Sequence, residues 1–281
     1  MTYAARHPDR FAATVSMSGF VDSNYAPEIA LISAGPLVQT ALPDAIYGPR
    51  ATQEVRWHGH NPTDLADNLR GVDLQVRTGE GTPTEVGDPT NPTSAVACVE
   101  EAGIYKTSVD FHQALLADGI PHVWQDYGAT CHGPDEFRRE FTDSLPGLAS
   151  DFAHPRPAPR TFDYSSVEPQ FTIWGWRVDA DPSRALEFLQ MRGAGRDGLT
   201  LIGSGSTSVT TPPFFHGLQA VDVISPDGTI TVTPDDAGRL HFTVDLGRAH
   251  TNQQYTPASE LVGDGKPGYF TTVTVRFVPH G

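Results

Sequence analysis

His132 is the residue of this chain best placed by its sequence context to do chemistry. It stands in a small-residue loop, Tyr127-Gly-Ala-Thr-Cys-His-Gly-Pro134, which follows a short apolar stretch and precedes a helical one. Histidine takes up and releases protons near neutral pH, so an imidazole held at the rim of a sheet can act as a general base. Such a base needs a carboxylate that holds its tautomer and stabilises its protonated form.

The order of the candidate groups along the chain indicates a fold. An acid followed by a histidine is the order of α/β-hydrolases, in which a serine on a Gly-x-Ser-x-Gly turn comes first. The chain instead begins with Met1-Thr-Tyr-Ala-Ala-Arg-His-Pro-Asp-Arg-Phe11, which is typical of the helix after that turn. Ser16 and Ser18 lie at the end of an apolar strand, and no helical pattern follows it, as one would after a nucleophile turn. We therefore expect the nucleophile, and with it the oxyanion donors, to be missing from this chain.

Four acidic residues upstream of His132 are candidates for its carboxylate. They are Glu80, Asp88, Glu100 and Glu101. Glu80 and Asp88 follow a predicted late strand, where many α/β-hydrolases carry their acid, whereas Glu100 and Glu101 open a predicted helix. Each of them is equally well explained as solvated charge near a loop or a helix start. The residues by themselves leave the choice open.

Composition limits the class of protein. With 281 residues, 38% apolar and 19% charged, the chain is long enough for two globular domains. A net charge of −15 argues against nucleic acid and anionic lipid as partners. No run approaches the ~20 apolar residues of a membrane span, so none is predicted, and any export signal is expected upstream of this chain. No cofactor or metal is predicted, and a cation site built from Asp and His lacks a spaced ligand set.

Residues 1–150 alternate helical and strand patterns, which predicts an α/β domain with a mostly parallel sheet. The predicted strands are Phe11–Met17, Val72–Thr78 and His122–Tyr127. The predicted helices are Thr2–His7, Asn61–Arg70, Ser94–Ala117 and Pro134–Leu145. The loop that carries His132 would leave the last of these strands, at the edge of the sheet where active sites of such domains lie.

A second domain is predicted after a proline-rich linker at 151–160, which contains three prolines. Residues 161–281 show period-two patterns separated by turn residues, which predicts an all-β sandwich. Its predicted strands are Phe171–Val178, Leu199–Ile202, Thr207–Thr210, Thr229–Thr233, Leu240–Leu246 and Thr271–Val278. Four aromatic residues, Trp174, Trp176, Phe214 and Phe215, are candidates for a sugar-binding platform, although alternation on a strand favours a place in the core.

The two cysteines flank the candidate site. Cys98 lies three residues before Glu101, and Cys131 directly precedes His132. A fold that joins this acid to this histidine also brings the two sulfurs into one neighbourhood. A disulfide and two buried thiols both fit, and a disulfide would imply an oxidising, exported setting.

Several segments of residues 1–148 match one family in type and order. They are Ala4–Phe11 followed by Val15-Ser-Met-Ser-Gly19, the loops Asp44–Gly48 and His60–Leu65, and Tyr127-Gly before His132 with Arg138-Arg-Glu140 after it. Together they resemble the esterase family that includes the antigen 85 mycolyltransferases and esterase D. In the mycolyltransferase branch a glutamate starts a helix ten residues ahead of a phenylalanine. Glu101 and Phe111 have that spacing, so the resemblance favours Glu101 as the acid.

The resemblance implies a function. It makes the chain the C-terminal part of a serine esterase or acyltransferase that works through an acyl-enzyme, with His132 as general base and Glu101 as its orienting acid. The implied fold is a partial α/β-hydrolase, the implied substrate an ester or acylated glycan, and the implied location secreted or associated with the cell wall. Without its nucleophile the chain is expected to be inactive as it stands. The alternative is a non-catalytic glycan-binding or cell-surface-binding protein built on a degenerate hydrolase.

Overall fold

The computed structural model describes residues 1–83 and 95–281 of the chain. The chain divides into two compact units. The first comprises Met1–Pro49 and His60–Pro157, and the second comprises Arg50–Gly59 and Ala158–Gly281. The second unit therefore includes the short helical segment at 50–59, which lies in sequence between the two parts of the first unit. No pattern in the sequence indicated this.

The first unit has a parallel sheet with helices. Its three described strands are β1 (Ala13–Met17), β2 (Asp73–Thr78) and β3 (Val123–Asp126), paired in the order β1-β2-β3. The α-helices of this part of the chain are α1 (Thr2–Arg6), α2 (Ala26–Ala34), α3 (Arg50–His58, counted in the second unit), α4 (Ala95–Ala117) and α5 (Pro134–Ala153). Short 3-10 helices span Pro8–Arg10, Gly35–Gln39 and Ala66–Leu69. The three predicted strands are confirmed with small shifts of their ends.

Helix α4 forms because its buried residues recur at a helical period. Cys98, Glu101, Ile104, Phe111 and Leu115 all face inward. The helix stops where the sequence predicted, since the glycine of Asp118-Gly119 has a positive φ of 63° that favours a residue without a Cβ. The predicted start, Ser94, lies outside the described residues.

The predicted helix Asn61–Arg70 is wrong, because only Ala66–Leu69 is helical and as a 3-10 turn. The polar start of this segment bonds to a distant loop instead of capping a helix. The amide of Asn61 donates to Oδ1 of Asp22 at 2.8 Å and accepts from the backbone of Ser23 at 3.0 Å. Asn, Asp and Thr side chains compete with helical hydrogen bonds in this way.

Helix α5 runs past its predicted end at Leu145, through Pro146, to Ala153. Proline lacks the N–H that would bind the carbonyl one turn earlier, which normally ends a helix. Two side chains of β2 bond to carbonyls beside this site. Arg77 donates to the carbonyl oxygen of Asp143 at 2.9 Å, and Gln75 donates to that of Ser144 at 3.2 Å. Tertiary hydrogen bonds therefore support a helix that its sequence would end.

The second unit is built from antiparallel strands in two sheets. The strands are β4 (Thr161–Ser166), β5 (Gln170–Ile173), β6 (Trp176–Asp179), β7 (Leu189–Gly195), β8 (Gly198–Gly203), β9 (Ser206–Thr210), β10 (Val221–Ser225), β11 (Gly228–Val232), β12 (His241–Asp245) and β13 (Thr271–Pro279). One sheet has the order β11-β10-β13-β8-β7-β4 and the other β12-β9-β6-β5. Buried residues of both sheets belong to a single apolar cluster. A short helix, α6 (Pro257–Val262), lies between β12 and β13. The sandwich arrangement itself stays a prediction.

The predicted strand Phe171–Val178 is two strands, not one. Trp174 and Gly175 both have positive φ, 47° and 82°, and form the two-residue turn of a hairpin that pairs Ile173 with Trp176. The four aromatic residues considered as a sugar platform lie in or against the apolar core. Trp176 and Phe215 are buried within it, and Trp174 and Phe214 are partly buried and pack against it.

Candidate active site

The candidate site lies at the carboxyl ends of the three parallel strands. Ser18 follows β1, Gly79 follows β2, and the loop that carries His132 follows β3. Parallel strands bring such exits to one edge of the sheet, which is where α/β folds place their ligand sites. Glu101 reaches the same edge from helix α4.

The structure brings His132 and Glu101 together. Nδ1 of His132 lies 2.8 Å from Oε2 of Glu101, whose side chain is 0% exposed. A hydrogen bond from Nδ1–H to a carboxylate leaves Nε2 of the neutral ring as an acceptor, which is the tautomer that a general base needs. His132 keeps 22% of its side chain exposed, so the ring can meet a reactant.

The backbone around His132 is held to helix α4. Cys131 forms a disulfide with Cys98, which settles the choice left open by the sequence. The backbone N–H of His132 donates to the carbonyl of Ala97 at 3.1 Å, and the ring of Phe137 packs edge to face at 4.7 Å. These contacts fix the imidazole relative to the helix that supplies its carboxylate.

The other oxygen of Glu101 is fully occupied by donors. Oε1 accepts from Ser18 Oγ at 2.7 Å, from the backbone N–H of Gly79 at 2.8 Å and from Thr78 Oγ1 at 3.2 Å. These hydrogen bonds offset part of the free-energy cost of burying the Glu101 carboxyl group. Gly79 is required here, since a Cβ at this position would lie 2.1 Å from Cγ2 of Thr130.

The other three candidate acids do not bond to Nδ1 of His132 in the described part of the chain. Glu100 is exposed, and its Oε1 lies 3.9 Å from Nε2 of His132, on the open side of the ring. Glu80 is exposed, and no ion pair joins it to His132 among the described residues. Asp88 lies outside the described residues.

Neither candidate serine contacts the imidazole. Ser18 is turned toward the acid, and Ser16 Oγ is buried without a hydrogen-bond partner among the described residues. Ser18 has a φ of 42°, an unusual value for a residue with a side chain, and it is 5% exposed. Its hydroxyl therefore supports the carboxylate.

A second buried acid, Glu140 of α5, adjoins the pair, although no pattern in the sequence predicted a role for it. Ser18 Oγ lies 3.0 Å from Oε1 of Glu140, in addition to its contact with Glu101. A hydroxyl has one proton to donate, so one of its two carboxyl neighbours must donate to it. Burial raises the pKa of Glu140 to about 8. Hydrogen bonds from Ser18 to the charged form act against this, and the negative charges of Glu136 and Glu101 add to it. Glu140 is thus a protonated acid at neutral pH that donates to Ser18.

Helix α5 explains why sequence patterns overlooked Glu140. Its buried face carries polar residues four apart, Glu136, Glu140 and Ser144. The neighbouring stripe of Phe137, Phe141 and Leu145 is exposed by 38%, 52% and 44%. Hydrophobic periodicity predicts that the apolar stripe of a helix is its buried face. For α5 this prediction is wrong, because the polar stripe is the buried one. The pKa of Glu136 is also raised. Burial is the main cause, and it outweighs a hydrogen bond from Thr130 that lowers the pKa.

An apolar groove is lined in part by Glu100, the residue whose Oε1 lies 3.9 Å from Nε2 of His132. It has a volume of about 700 Å³ and lies between α2, the start of α4 and the loop after β1. Phe20, Leu31, Val96 and Val99 also line it. Val96 and Val99 are more than 70% exposed, at 73% and 74%. The groove therefore offers an apolar surface on the side of His132 where Nε2 is open.

The fold and site define an α/β unit with a histidine–carboxylate pair, joined in one chain to an antiparallel β unit. No protein-family model and no curated protein matches the chain. A solved structure to which it is similar is the crystal structure of Mycobacterium tuberculosis MPT51 (FbpC1). The two are 22% identical, the match covers 55% of each chain, and the TM-score is 0.42. The chain therefore spans about half the length of that protein.

Two further properties of the described residues bear on partners. None of the helices in 1–83 and 95–281 combines the length and the hydropathy needed to cross a bilayer. Those same ranges contain no group of three or more His, Cys, Asp or Glu side chains arranged to hold a metal ion.

Proposed function

We propose that this chain carries the general base and the orienting acid of a serine esterase or acyltransferase on an α/β-hydrolase-like unit. The observation that carries the proposal is the 2.8 Å hydrogen bond from His132 to the fully buried Glu101, at the carboxyl edge of a parallel sheet. Under this proposal the attacking serine comes from outside the described residues, among which no hydroxyl or thiol bonds to Nε2 of His132.

The reaction follows from this geometry. A serine hydroxyl placed against Nε2 of His132 loses its proton to the ring as its oxygen attacks the ester carbonyl, and the imidazolium that forms is stabilised by Glu101. His132 then returns the proton to the leaving alcohol, and an acyl-enzyme remains. Water or an acceptor hydroxyl, activated by the same nitrogen, releases the acyl group. Ser18 and the amide of Gly79 keep the Glu101 carboxylate aimed at Nδ1 throughout.

The apolar groove supports an acyl chain as the apolar part of the substrate. It is lined by Phe20, Val96 and Val99, with Glu100 at the point where groove and imidazole meet. Transfer of each methylene from water into such a groove contributes up to about 0.8 kcal/mol. Esters with longer acyl chains are therefore the preferred substrates.

If the reading frame continues upstream of Met1 and encodes a Gly-x-Ser-x-Gly turn, the test uses that longer protein, assayed with p-nitrophenyl esters of increasing chain length. Replacing the base (His132→Ala) or the acid (Glu101→Gln) lowers turnover on the order of 10³-fold to 10⁴-fold. His154→Ala, an exposed histidine of the same unit, is the matched control and leaves turnover unchanged. Equal rates for His132→Ala and the parent protein would refute the role of His132.

The groove is tested separately. Val99→Asp places a charge on its exposed wall and is expected to raise KM for long-chain esters while leaving acetate esters unaffected. Equal effects on both esters would remove the groove from the proposal without touching the histidine–acid pair.

We propose that the protein is exported and is either secreted or associated with the cell wall. The disulfide between Cys98 and Cys131 supports it, since disulfides persist in oxidising compartments. The alternative of a non-catalytic glycan-binding or surface-binding protein stays a prediction. Its sequence support was the aromatic platform, and those side chains pack in or against the core of the second unit.

A further inference from the structure

A second buried carboxylate holds a histidine in the antiparallel unit. Glu187 is 0% exposed and lies just ahead of β7. Its Oε2 accepts from Nδ1 of His250 at 2.7 Å, and its Oε1 accepts from Ser204 Oγ at 2.5 Å. The guanidinium of Arg184, whose side chain is only 3% exposed, lies 3.5 Å from Oε1. An acid and a cation are thus buried together behind one imidazole.

His250 is fixed in both backbone and ring. Its N–H donates to Ser204 Oγ at 3.0 Å, its carbonyl accepts from Ala185 at 2.8 Å, and its ring stacks on Tyr269 at 4.1 Å. Because Nδ1 is engaged by the buried carboxylate, the ring edge with Nε2 faces away from it. The side chain is 22% exposed, and Nε2 has no hydrogen-bond partner in the described part of the chain.

His250 lines a cavity of about 380 Å³. Arg248, Asn252, Tyr269 and Thr271 line it together with His250, and its lining contains no Asp or Glu. Arg248 is exposed and makes no ion pair with a described residue. In a chain with 34 acidic and 19 basic residues, this lining has an arginine and a histidine and no acid. The carboxylates of Glu187 and Asp264 lie behind it, and burial together with their charges raises the pKa of Tyr269 to about 12.

We propose that this cavity binds an oxyanion, the carboxylate or phosphate group of a small ligand, between Arg248 and Nε2 of His250. Guanidinium and imidazolium groups make short, charge-assisted hydrogen bonds to such anions, and the Arg fork matches their paired oxygens. In the proposed complex the ring of His250 carries a proton on each nitrogen, so that Nδ1–H donates to Glu187 and Nε2–H donates to the anion. The amide of Asn252 and the hydroxyl of Thr271 supply further donors at the same wall.

A purely structural role explains only part of this arrangement. The bonds from Nδ1 and from the backbone of His250 tie the loop after β12 to the sheet. Replacing a buried ion pair by apolar residues is often neutral or stabilising, so packing alone gives little reason for Arg184 and Glu187 to be buried here. Anchoring also gives no role to Arg248 or to the open Nε2. The site is independent of the proposed ester chemistry.

The test is an NMR titration of the full chain, labelled with ¹⁵N, with sodium acetate in one arm and sodium phosphate in the other. Sodium chloride keeps the ionic strength equal, and the His250 ring signals are identified by their loss in His250→Gln. We expect a saturating shift of the His250 nitrogens in at least one arm, with the His132 signals unchanged. Saturation by acetate alone, or by phosphate alone, assigns the carboxylate or the phosphate as the preferred group.

The matched variants are Arg248→Gln and Arg239→Gln. Arg239 is an exposed arginine of the same unit that pairs with Asp235 at 2.9 Å, so its loss serves as a control for net charge. Arg248→Gln is expected to weaken anion binding at least about ten-fold, the effect of removing a charged hydrogen bond, whereas Arg239→Gln leaves it unchanged. Shifts that never saturate, or that respond equally to both variants, would overturn the proposal.

Discussion

The protonated state of Glu140 makes the stability of the first unit depend on pH in a defined direction. Its pKa lies near 4.5 in the unfolded chain and at about 8 in the folded unit. Below the lower value both states hold the proton and the group has no effect. Between the two values the unfolded chain releases a proton that the folded unit keeps, so stability falls as pH rises, and above pH 8 the loss is complete.

The magnitude follows from these pKa values. Each pH unit within the window costs about 1.4 kcal/mol, which gives about 3 kcal/mol at pH 7 and about 5 kcal/mol over the whole window. Glu140→Gln removes the titration, while its amide can still donate to Ser18. Relative to the parent chain, we expect the variant to gain stability with pH, from no gain below pH 4.5 to a gain of several kcal/mol near pH 8.

The assay is urea unfolding at a series of pH values, followed through the indole signal of Trp124 in a ¹⁵N-labelled sample. Trp124 is the one tryptophan of the first unit, since Trp57, Trp174 and Trp176 belong to the second. Burial also raises the pKa of Glu28 to about 8, but that effect is common to both chains and cancels in their difference.

Glu80→Gln, which changes an exposed glutamate of the same unit, is the matched control. Its stability difference from the parent chain is expected to stay flat with pH. A difference for Glu140→Gln that varies by less than about 0.5 kcal/mol between pH 5 and 8, the range of an ordinary surface substitution, would refute the assignment of a proton to Glu140.

Three further outcomes follow from contacts of the site. Ser18→Ala removes a donor to Glu101 and leaves two buried carboxyl groups facing each other. Urea unfolding should therefore show a free energy of unfolding lower by about 1–3 kcal/mol. The control Ser16→Ala removes a hydroxyl that has no hydrogen-bond partner among the described residues, and it should change this free energy little. Gly79→Ala forces a Cβ into a side chain at 2.1 Å and should destabilise the unit by about 1–3 kcal/mol; Gly103→Ala, inside a helix with its nearest neighbour at 3.7 Å, should be neutral or stabilising. Reduction of the disulfide, which closes a sequence separation of 33 residues, should cost about 4 kcal/mol in the same assay; an unchanged urea midpoint after reduction would contradict this.

Local patterns were enough to predict the strands and the long helix of the first unit. The apolar runs around β1 and β2 and the helical period of α4 are properties of short windows, and a glycine with positive φ ends α4 where the sequence indicated. The same windows failed where distant groups compete for hydrogen bonds. Asn61 bonds to a remote aspartate and replaces a helix by turns, while Arg77 and Gln75 bond to carbonyls beside Pro146 within a continuous helix.

For the site, the sequence by itself determined which residue types stand in which order, an acid ahead of a histidine with a cysteine near each. Only the tertiary structure decided that Glu101, among the acids it describes, meets His132, that the cysteines are joined, and that Ser18 faces the acid. It also placed Glu140 within the core, on a face of α5 that apolar periodicity assigns to solvent. The physical reason is that a carboxyl's role depends on its burial and on the donors around it, and those are set by residues far away in the chain.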